Sequence, residues 1–401
     1  MRPVAIIGAG PAGLAAAEVV AAAGLPVVVF EQMPSPGRKL LMAGLGGLNI
    51  THSEPADSFI ARYSDGAPAL RPMIEAFTPD DMRQWCLDLG ESTFVGSSGR
   101  VFPDSFKASP LLRAWLVKLD RLGVELRNRH RWTGWDEGGA LTFDLGGGER
   151  LVFQASATVL ALGGATWPRL GSTGAWKSAL AERGIPLSPF EPSNCGFEVA
   201  WSEKILDAHE GRPLKSTGFH FGEFSARAEA VITKRGIEGG AIYALSAPLR
   251  DAIAAHGPQT LSLDLVPDLN AEAVHHRLAK AKSKDSLTNR LRKTLGLSEV
   301  QRALFFESHG PGFTGDIAAA VKALPIKVQR PFGLERAISS NGGVAWEAVD
   351  SSLQLHAMAG VYAAGEMLDW EAPTGGYLLQ ACLATGRWVG QAIAAKCSVN
   401  T

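Results

Sequence analysis

Cysteine is scarce in this chain: four among 401 residues, Cys86, Cys195, Cys382 and Cys397, with no C-x-x-C pair and no metal-like spacing. That scarcity argues against a dithiol redox centre or a zinc site, and it suits a reducing, cytoplasmic setting. Charge of one sign is missing too. With 39 basic and 40 acidic side chains, no global field selects a nucleic acid or a membrane as partner. Long hydrophobic runs are also lacking, since the longest apolar segment, residues 14–30, is interrupted by Glu18, Gly24 and Pro26. Neither a signal peptide nor a membrane span is expected. Internal repeats and low-complexity tracts do not occur, and the length allows about two to three domains.

What is present is concentrated near the start. Residues 4–31 read VAIIGAGPAGLAAAEVVAAAGLPVVVFE. An apolar run, Val4 to Ile7, enters Gly8-x-Gly10-x-x-Gly13; an Ala-rich helix follows; a second apolar run, Val27 to Phe30, ends on Glu31. This is the pattern of a dinucleotide-binding βαβ unit. Gly8 permits the tight turn, Gly10 lets backbone approach a pyrophosphate, and Gly13 lets helix and strand pack closely. Pro11 and Ala12 open the helix, whose N-terminus offers unpaired N–H groups to the anion. Glu31 is placed to accept hydrogen bonds from ribose hydroxyls.

Further along, residues 79–90 and 108–122 read as helices, the second with an apolar stripe of Leu111, Leu112, Trp115, Leu116 and Leu119. Val124 to Ala155 reads as a three-stranded meander punctuated by Gly138-Gly139 and Gly146-Gly147-Gly148. Residues 158–164, TVLALGG, form a buried strand that ends on glycines. Runs at Gly196–Trp201, Leu214–Phe221, Ala226–Ile232 and Thr260–Leu265 surround a helix at Ala241–Ala255. Residues 270–323 turn helical, with Asn270 an N-cap, Gly296 a helix stop, and Ser298 with Gln301 a capping box. The expected organisation is α/β. A Rossmann-like domain with a β-meander covers 1–188 and 339–401. A mostly-β, barrel-like substrate domain covers 189–268 and 324–338 and carries a helical insert at 269–323.

The strand and helix pattern returns after Ile338. A strand at Gly360–Ala364 leads into Gly365-Glu366, and Gly375-Gly376-Tyr377-Leu378 opens a helix running to about Ala395. This is what a flavin site requires far from the first glycines. Glu366 can hydrogen-bond a ribityl chain, and the N–H groups of residues 375–378 can face the N1 and C2-carbonyl edge of an isoalloxazine. A helix N-terminus there stabilises the reduced, anionic ring by roughly 0.3–2 kcal/mol. Both ends of the chain thus point to one FAD.

On these motifs the chain resembles the BaiN-like family of NAD(P)/FAD-dependent oxidoreductases, two-dinucleotide-binding-domain flavoproteins related to glutathione reductase. The resemblance rests on GAGPAGLAAA, GRKLLMAGLGGLNITH (37–52), GRVFPDSFKAS (99–109) and LALGGATWPRLGSTGAW (160–176). ITKRGIEGGAIYALS (232–246), NGGVAWEAVD (341–350) and GVYAAGEMLDWEAPTGGYLLQACLATG (360–386) continue it in order. It implies an FAD domain interrupted by a β-barrel domain with a helical insert. One stretch departs: where the family commonly has S-G-G-G-R-C-N-x-T-N, Gly47 and Leu48 replace arginine and cysteine, so chemistry using that thiol or guanidinium does not carry over.

The expected cofactor set is Gly8, Gly10, Pro11, Ala12, Gly13, Glu31, Gln32, Lys39, Gly163, Gly365, Glu366, Gly375, Gly376, Tyr377 and Leu378. Arg38 and Lys39 could neutralise the pyrophosphate, with the resemblance favouring Lys39. No catalytic acid or base is singled out; Asn49, Thr51, His52 and Tyr377 are the candidates. Arg100 reads as a structural salt-bridge partner and Trp167 as filler of a domain seam. Seven basic residues between Arg277 and Lys293 (Arg277, Lys280, Lys282, Lys284, Arg290, Arg292, Lys293) face one acid, Asp285. No aromatics interleave them, so they read as a solvated face, and a nucleic-acid partner is not expected.

The leading function is an FAD-dependent oxidoreductase that exchanges hydride between flavin N5 and a small organic substrate, with NAD(P)H as a transient donor. No second βαβ glycine unit exists to hold a nicotinamide permanently. The alternatives are an oxidase of amines or hydroxy compounds that releases hydrogen peroxide, and a flavin-dependent nucleic-acid-modifying or binding protein.

Overall fold

The apolar runs flanking the first glycine turn become parallel neighbours at the heart of a five-stranded sheet. Its order is Val361–Ala363, Thr158–Leu160, Val4–Ile7, Val27–Glu31 and Glu125–Asn128. Each adjacent pair is parallel, with Ala5 opposite Thr158 on one side and Val28 on the other. Val4 to Ile7 are all buried, as continuous apolar strands must be when both sheet faces are covered. The structure is a computed structural model that describes residues 2–44 and 46–399, with side chains to 397. Leu45 of the second glycine loop and residues 400–401 of the expected 339–401 segment lie outside the described residues.

The chain divides into two compact units, Met1–Glu191 with Ser339–Thr401, and Pro192–Ile338. In the first, the helix Pro11–Ala22 follows the glycine turn and packs on the closing helix Tyr377–Val399. Gly386 and Gly390, one turn apart on the closing helix, make this approach feasible. A Cβ on Gly386 would lie 2.1 Å from the carbonyl oxygen of Ala12, and one on Gly390 2.8 Å from Cβ of Val19. Any side chain there would push the helices apart. This contact, together with the position of Val361–Ala363 in the sheet, brings the two ends of the chain together.

The meander is built from Arg131–Trp135, Leu141–Gly146 and Glu149–Phe153, all antiparallel. The run from Val124 that had read as its first strand is two strands: Glu125–Asn128 joins the parallel sheet, pairing Glu31 with Asn128. The break falls at Arg129, in the left-handed region at φ 61°, with no glycine or proline to announce it.

The second unit holds two four-stranded antiparallel sheets and the helices Ser246–His256, Ala271–Ala279, Leu287–Leu295 and Glu299–His309. Asn270 caps the second of these through Ala273 N–H, Gly296 ends the third at φ 70°, and Ser298 with Gln301 forms the capping box. The helical segment lies in the same compact unit as the strands that carry it. Val274, Leu278, Leu291 and Leu304 share one apolar core with Phe219, Leu261 and Ile326 of the strands, because amphipathic helices this short must bury their stripe on a neighbour. Among the described residues no helix is long and apolar enough to cross a membrane.

Candidate functional site

The three glycines of the first turn each meet a different constraint. Gly8 sits at φ 107°, and a Cβ on it would lie 2.3 Å from the carbonyl oxygen of Ala161. A Cβ on Gly13 would lie 1.9 Å from the carbonyl oxygen of Gly8. Gly10 is different: it is the N-cap of the first helix, and a Cβ there would meet nothing within 4 Å. No side chain caps this helix and no acid stands in its first turn. Its first-turn N–H groups therefore have no side-chain acceptor among the described residues, as an anion cradle requires.

Glu31 closes the turn. Its carboxylate accepts from Ala9 N–H at 3.0 Å and Met33 N–H at 2.8 Å. Burial raises its pKa, outweighing the backbone donors of Met33, Ala9 and Gln32 and the Arg38 charge that pull it down. A carboxylate has about four lone-pair directions, so acceptor capacity remains for a further donor beside Ala9, Met33 and Gln32. Gln32 donates through Nε2 to the carbonyl of Gly171, which fixes that loop against the end of the second strand.

Lys39 does not stand free. Its ammonium lies 2.7 Å from Oε2 of Glu366, with Thr166 Oγ1 at 3.3 Å and Ser172 Oγ at 3.5 Å. Oε1 of Glu366 accepts from the Ser340 N–H at 3.4 Å. Gly163 and Gly164 wall this cluster: a Cβ on Gly164 would lie 3.3 Å from the Glu366 carboxylate carbon and 2.0 Å from Ser340 Oγ. Gly365, at φ 81°, leaves room for Ala12, whose Cβ would be 2.7 Å from a Cβ placed there. Lys39, Gly163, Glu366 and the first helix thus meet in one place. The Lys39–Glu366 pairing had no signal in the sequence, because 327 positions separate the partners.

The second glycine site is at the start of the closing helix. Gly375 and Gly376 adopt φ 137° and 95°, and a Cβ on Gly376 would lie 2.5 Å from both Asn49 Oδ1 and Thr51 N. Asn49 Nδ2 and Oδ1 and Thr51 Oγ1 are shielded from solvent yet have no hydrogen-bond partner among the described residues. Each such orphan costs about 1–3 kcal/mol, so this is where the fold calls for a polar ligand. These observations fit FAD: an open anion cradle at Gly10, spare acceptor capacity at Glu31, and unsatisfied donors and acceptors at Asn49 and Thr51. Leu48, standing where the family commonly has cysteine, is buried at 1% exposure, and Gly47 rests at φ 107° against the Phe106 ring.

The other candidates are already engaged. The ring nitrogen Nε2 of His52 lies 2.9 Å from the Ser98 carbonyl, and Nδ1 accepts from Glu54 N–H at 3.1 Å, the pattern of a neutral imidazole. Its ring stacks on Tyr377 at 5.6 Å. The Tyr377 hydroxyl donates to Glu54, whose carboxylate also receives Arg62 at 3.1 and 2.8 Å. Burial, and then that bond, raise the Tyr377 pKa far above its ordinary value. Burial alone would raise Glu54, but the Arg62 and Tyr377 hydrogen bonds hold it below its ordinary value. Leu378 is half-buried in the same turn. The salt bridge expected for Arg100 is not found among the described residues; the side chain is exposed, its Nε 3.9 Å from a Cβ placed on Gly375. Trp167 is half-buried at φ 60°.

Comparison with known proteins agrees with this geometry. The chain is 26% identical to a 3-dehydro-bile acid delta(4,6)-reductase of Clostridium scindens, over 99% of this chain and 100% of that protein. It is 25% identical to a ribosomal RNA dihydrouridine synthase of Haemophilus influenzae, over 94% of each. Among solved structures, a 3-ketosteroid delta1-dehydrogenase from Sterolibacterium denitrificans shares the fold with a TM-score of 0.56 at 12% identity, over 98% of this chain and 99% of that one. A flavocytochrome c3 fumarate reductase does so with a TM-score of 0.54 at 16% identity, over 98% and 78%. The model of the family described as HI0933-like protein Rossmann domain matches residues 2–392. The chain therefore belongs to the HI0933-like family and is an FAD-dependent oxidoreductase.

Proposed function

We propose that this chain reduces a carbon–carbon double bond conjugated to a carbonyl in a small organic substrate, drawing electrons from NAD(P)H. Bound FAD supplies the hydride exchange, through N5 of its ring. The free N–H groups at Gly10 and Ala12 would bind the pyrophosphate, and Glu31 would take a ribose hydroxyl with its remaining acceptor capacity. The Lys39–Glu366 pair presents a carboxylate to the ribityl chain while Lys39 keeps the pocket near neutral. The unpartnered Asn49 amide and Thr51 hydroxyl beside Gly376 carry the reading. A carboxamide offers one donor side and one acceptor side, which matches the alternating edge of a pyrimidine-type ring, and it lies where the closing helix begins. Tyr377 stays protonated and, with Glu54 and Arg62, buttresses that turn.

The relatives support the choice of reaction. A delta(4,6)-reductase and a dihydrouridine synthase are both named for saturating a ring double bond, and a shared hydride chemistry explains one fold serving both. Mixing the purified yellow protein anaerobically with NADH or NADPH, then with a cyclic enone, tests this. Bleaching by the nicotinamide and recovery of colour with the enone are expected. Failure of both nicotinamides to bleach the flavin, with peroxide release from amines or hydroxy compounds, replaces the reductase by an oxidase.

A further inference from the structure

Within the second unit, the helices Ala271–Ala279, Leu287–Leu295 and Ile317–Lys322 border a cavity of about 510 Å³. Leu278, Leu287 and Phe313 form apolar walls, and Arg290, His275 and Asp316 contribute polar groups. Ligand cavities span roughly 300–1,000 Å³, so the space suits a small molecule. Arg290 is half-buried, and its Nε is shielded from solvent with no hydrogen-bond partner. No carboxylate pairs with it among the described residues. Asp316 Oδ1 caps its helix through Ala318 and Ala319 N–H at 2.8 and 3.2 Å, and its Oδ2 lies 3.7 Å from His275 Nε2. Asp285 is held by Lys293 at 2.8 Å. Exposed Arg277, Lys280 and Arg292 add positive field on the same segment. The Phe313 ring is fixed from behind by His309 at 4.8 Å and Phe305 at 5.4 Å.

We infer that this cavity binds a nucleotide-type anion, its phosphate on the Arg290 guanidinium and its planar ring against Phe313. A guanidinium with a free N–H takes phosphate oxygens in paired hydrogen bonds. The surplus of basic groups around it favours a multiply charged anion over a carboxylate, and the apolar walls favour a ring over bare phosphate. The nucleotide is either a free mononucleotide or one unit of an RNA strand; the phosphate and base chemistry is shared.

The test uses the full-length protein saturated with FAD, so that the flavin's own adenosine site is filled. Calorimetric titration compares AMP, inorganic phosphate, adenosine and a short single-stranded RNA oligonucleotide, each at low and moderate salt. Saturable one-to-one binding of AMP is expected, tighter than phosphate or adenosine alone. Arg290→Gln, which keeps the stem, is expected to lose tenfold or more. Arg290→Lys should fall between, and Lys204→Gln, at an exposed position outside the cavity lining, should change binding less than twofold. Circular dichroism melting confirms that each variant is folded. An oligonucleotide that binds tighter than AMP with the same dependence on Arg290 identifies RNA as the source; one that binds no tighter identifies a free nucleotide. Absence of binding by both AMP and the oligonucleotide overturns the inference, as does binding that Arg290→Gln leaves unchanged or phosphate or adenosine alone binding as tightly as AMP.

Discussion

The ammonium of Lys39 and the carboxylate of Glu366 lie 2.7 Å apart, joining the second glycine loop region to the end of the chain. They are 28% and 13% exposed, so water screens the pair only in part. Glu366→Gln should leave Lys39 without its counter-charge and remove the carboxylate from the ribityl position. A charge-assisted hydrogen bond is worth about 1.5–3 kcal/mol, so FAD dissociation should quicken by about tenfold or more while the protein still folds. Unchanged FAD release, measured by fluorescence after dilution, counts against the assigned role.

The glycine turn separates binding from folding. At Gly10 a Cβ would meet no atom of the described residues within 4 Å, whereas at Gly13 a Cβ would overlap the Gly8 carbonyl. Gly10→Val should therefore keep a melting temperature close to that of the apoprotein and lose flavin. Gly13→Ala should lower the folding stability itself, by the roughly 1–3 kcal/mol typical of overpacking, and the melting temperature with it. Full FAD occupancy in Gly10→Val contradicts the anion cradle.

Glu31 supplies a pH dependence with a defined sign. Burial raises its folded-state pKa, so in the apoprotein its contribution to stability is fully present below the ordinary glutamate value of about 4.3 and is lost as pH rises through the raised value. Glu31→Gln should flatten apoprotein melting temperature across that window. Ribose hydroxyls donating to the carboxylate pull its pKa back down, so FAD affinity should weaken as pH falls through the same window. Titrations of FAD at several pH values check both statements; a pH-independent affinity argues against ribose binding at Glu31.

Two neighbours in one segment should behave oppositely. His52 has both ring nitrogens engaged in backbone bonds, so His52→Gln should leave the pH profile of flavin reduction in place. Asn49 has unsatisfied groups, so Asn49→Ala should slow reduction by about tenfold, in line with one to two lost hydrogen bonds. Stopped-flow reduction by NADPH across pH measures both; a profile that shifts in His52→Gln returns that residue to the chemistry.

The first βαβ unit was legible because glycine spacing, strand, helix and Glu31 sit within one short window, and the steric test at Gly8, Gly10 and Gly13 follows from the same pattern. Helix caps at Asn270 and Ser298 were legible for the same reason: a cap is a local hydrogen bond. Relations over long separations were not. Nothing near Lys39 points to Glu366, and Gly386 and Gly390 look like ordinary helix glycines until Ala12 and Val19 are seen against them. The strand Glu125–Asn128 was misassigned because pairing partner, not composition, decides which sheet a run joins. Unpartnered atoms at Asn49, Thr51 and Arg290 are visible only once every neighbour has been placed.

The most direct test is the flavin content of the purified chain, released by denaturation and identified by chromatography after reconstitution with excess FAD. About one FAD per chain, retained through gel filtration and lost in Gly10→Val, is the expected result. A wild-type chain that folds, takes up no flavin and shows no change in melting temperature with FAD would contradict the account at its centre.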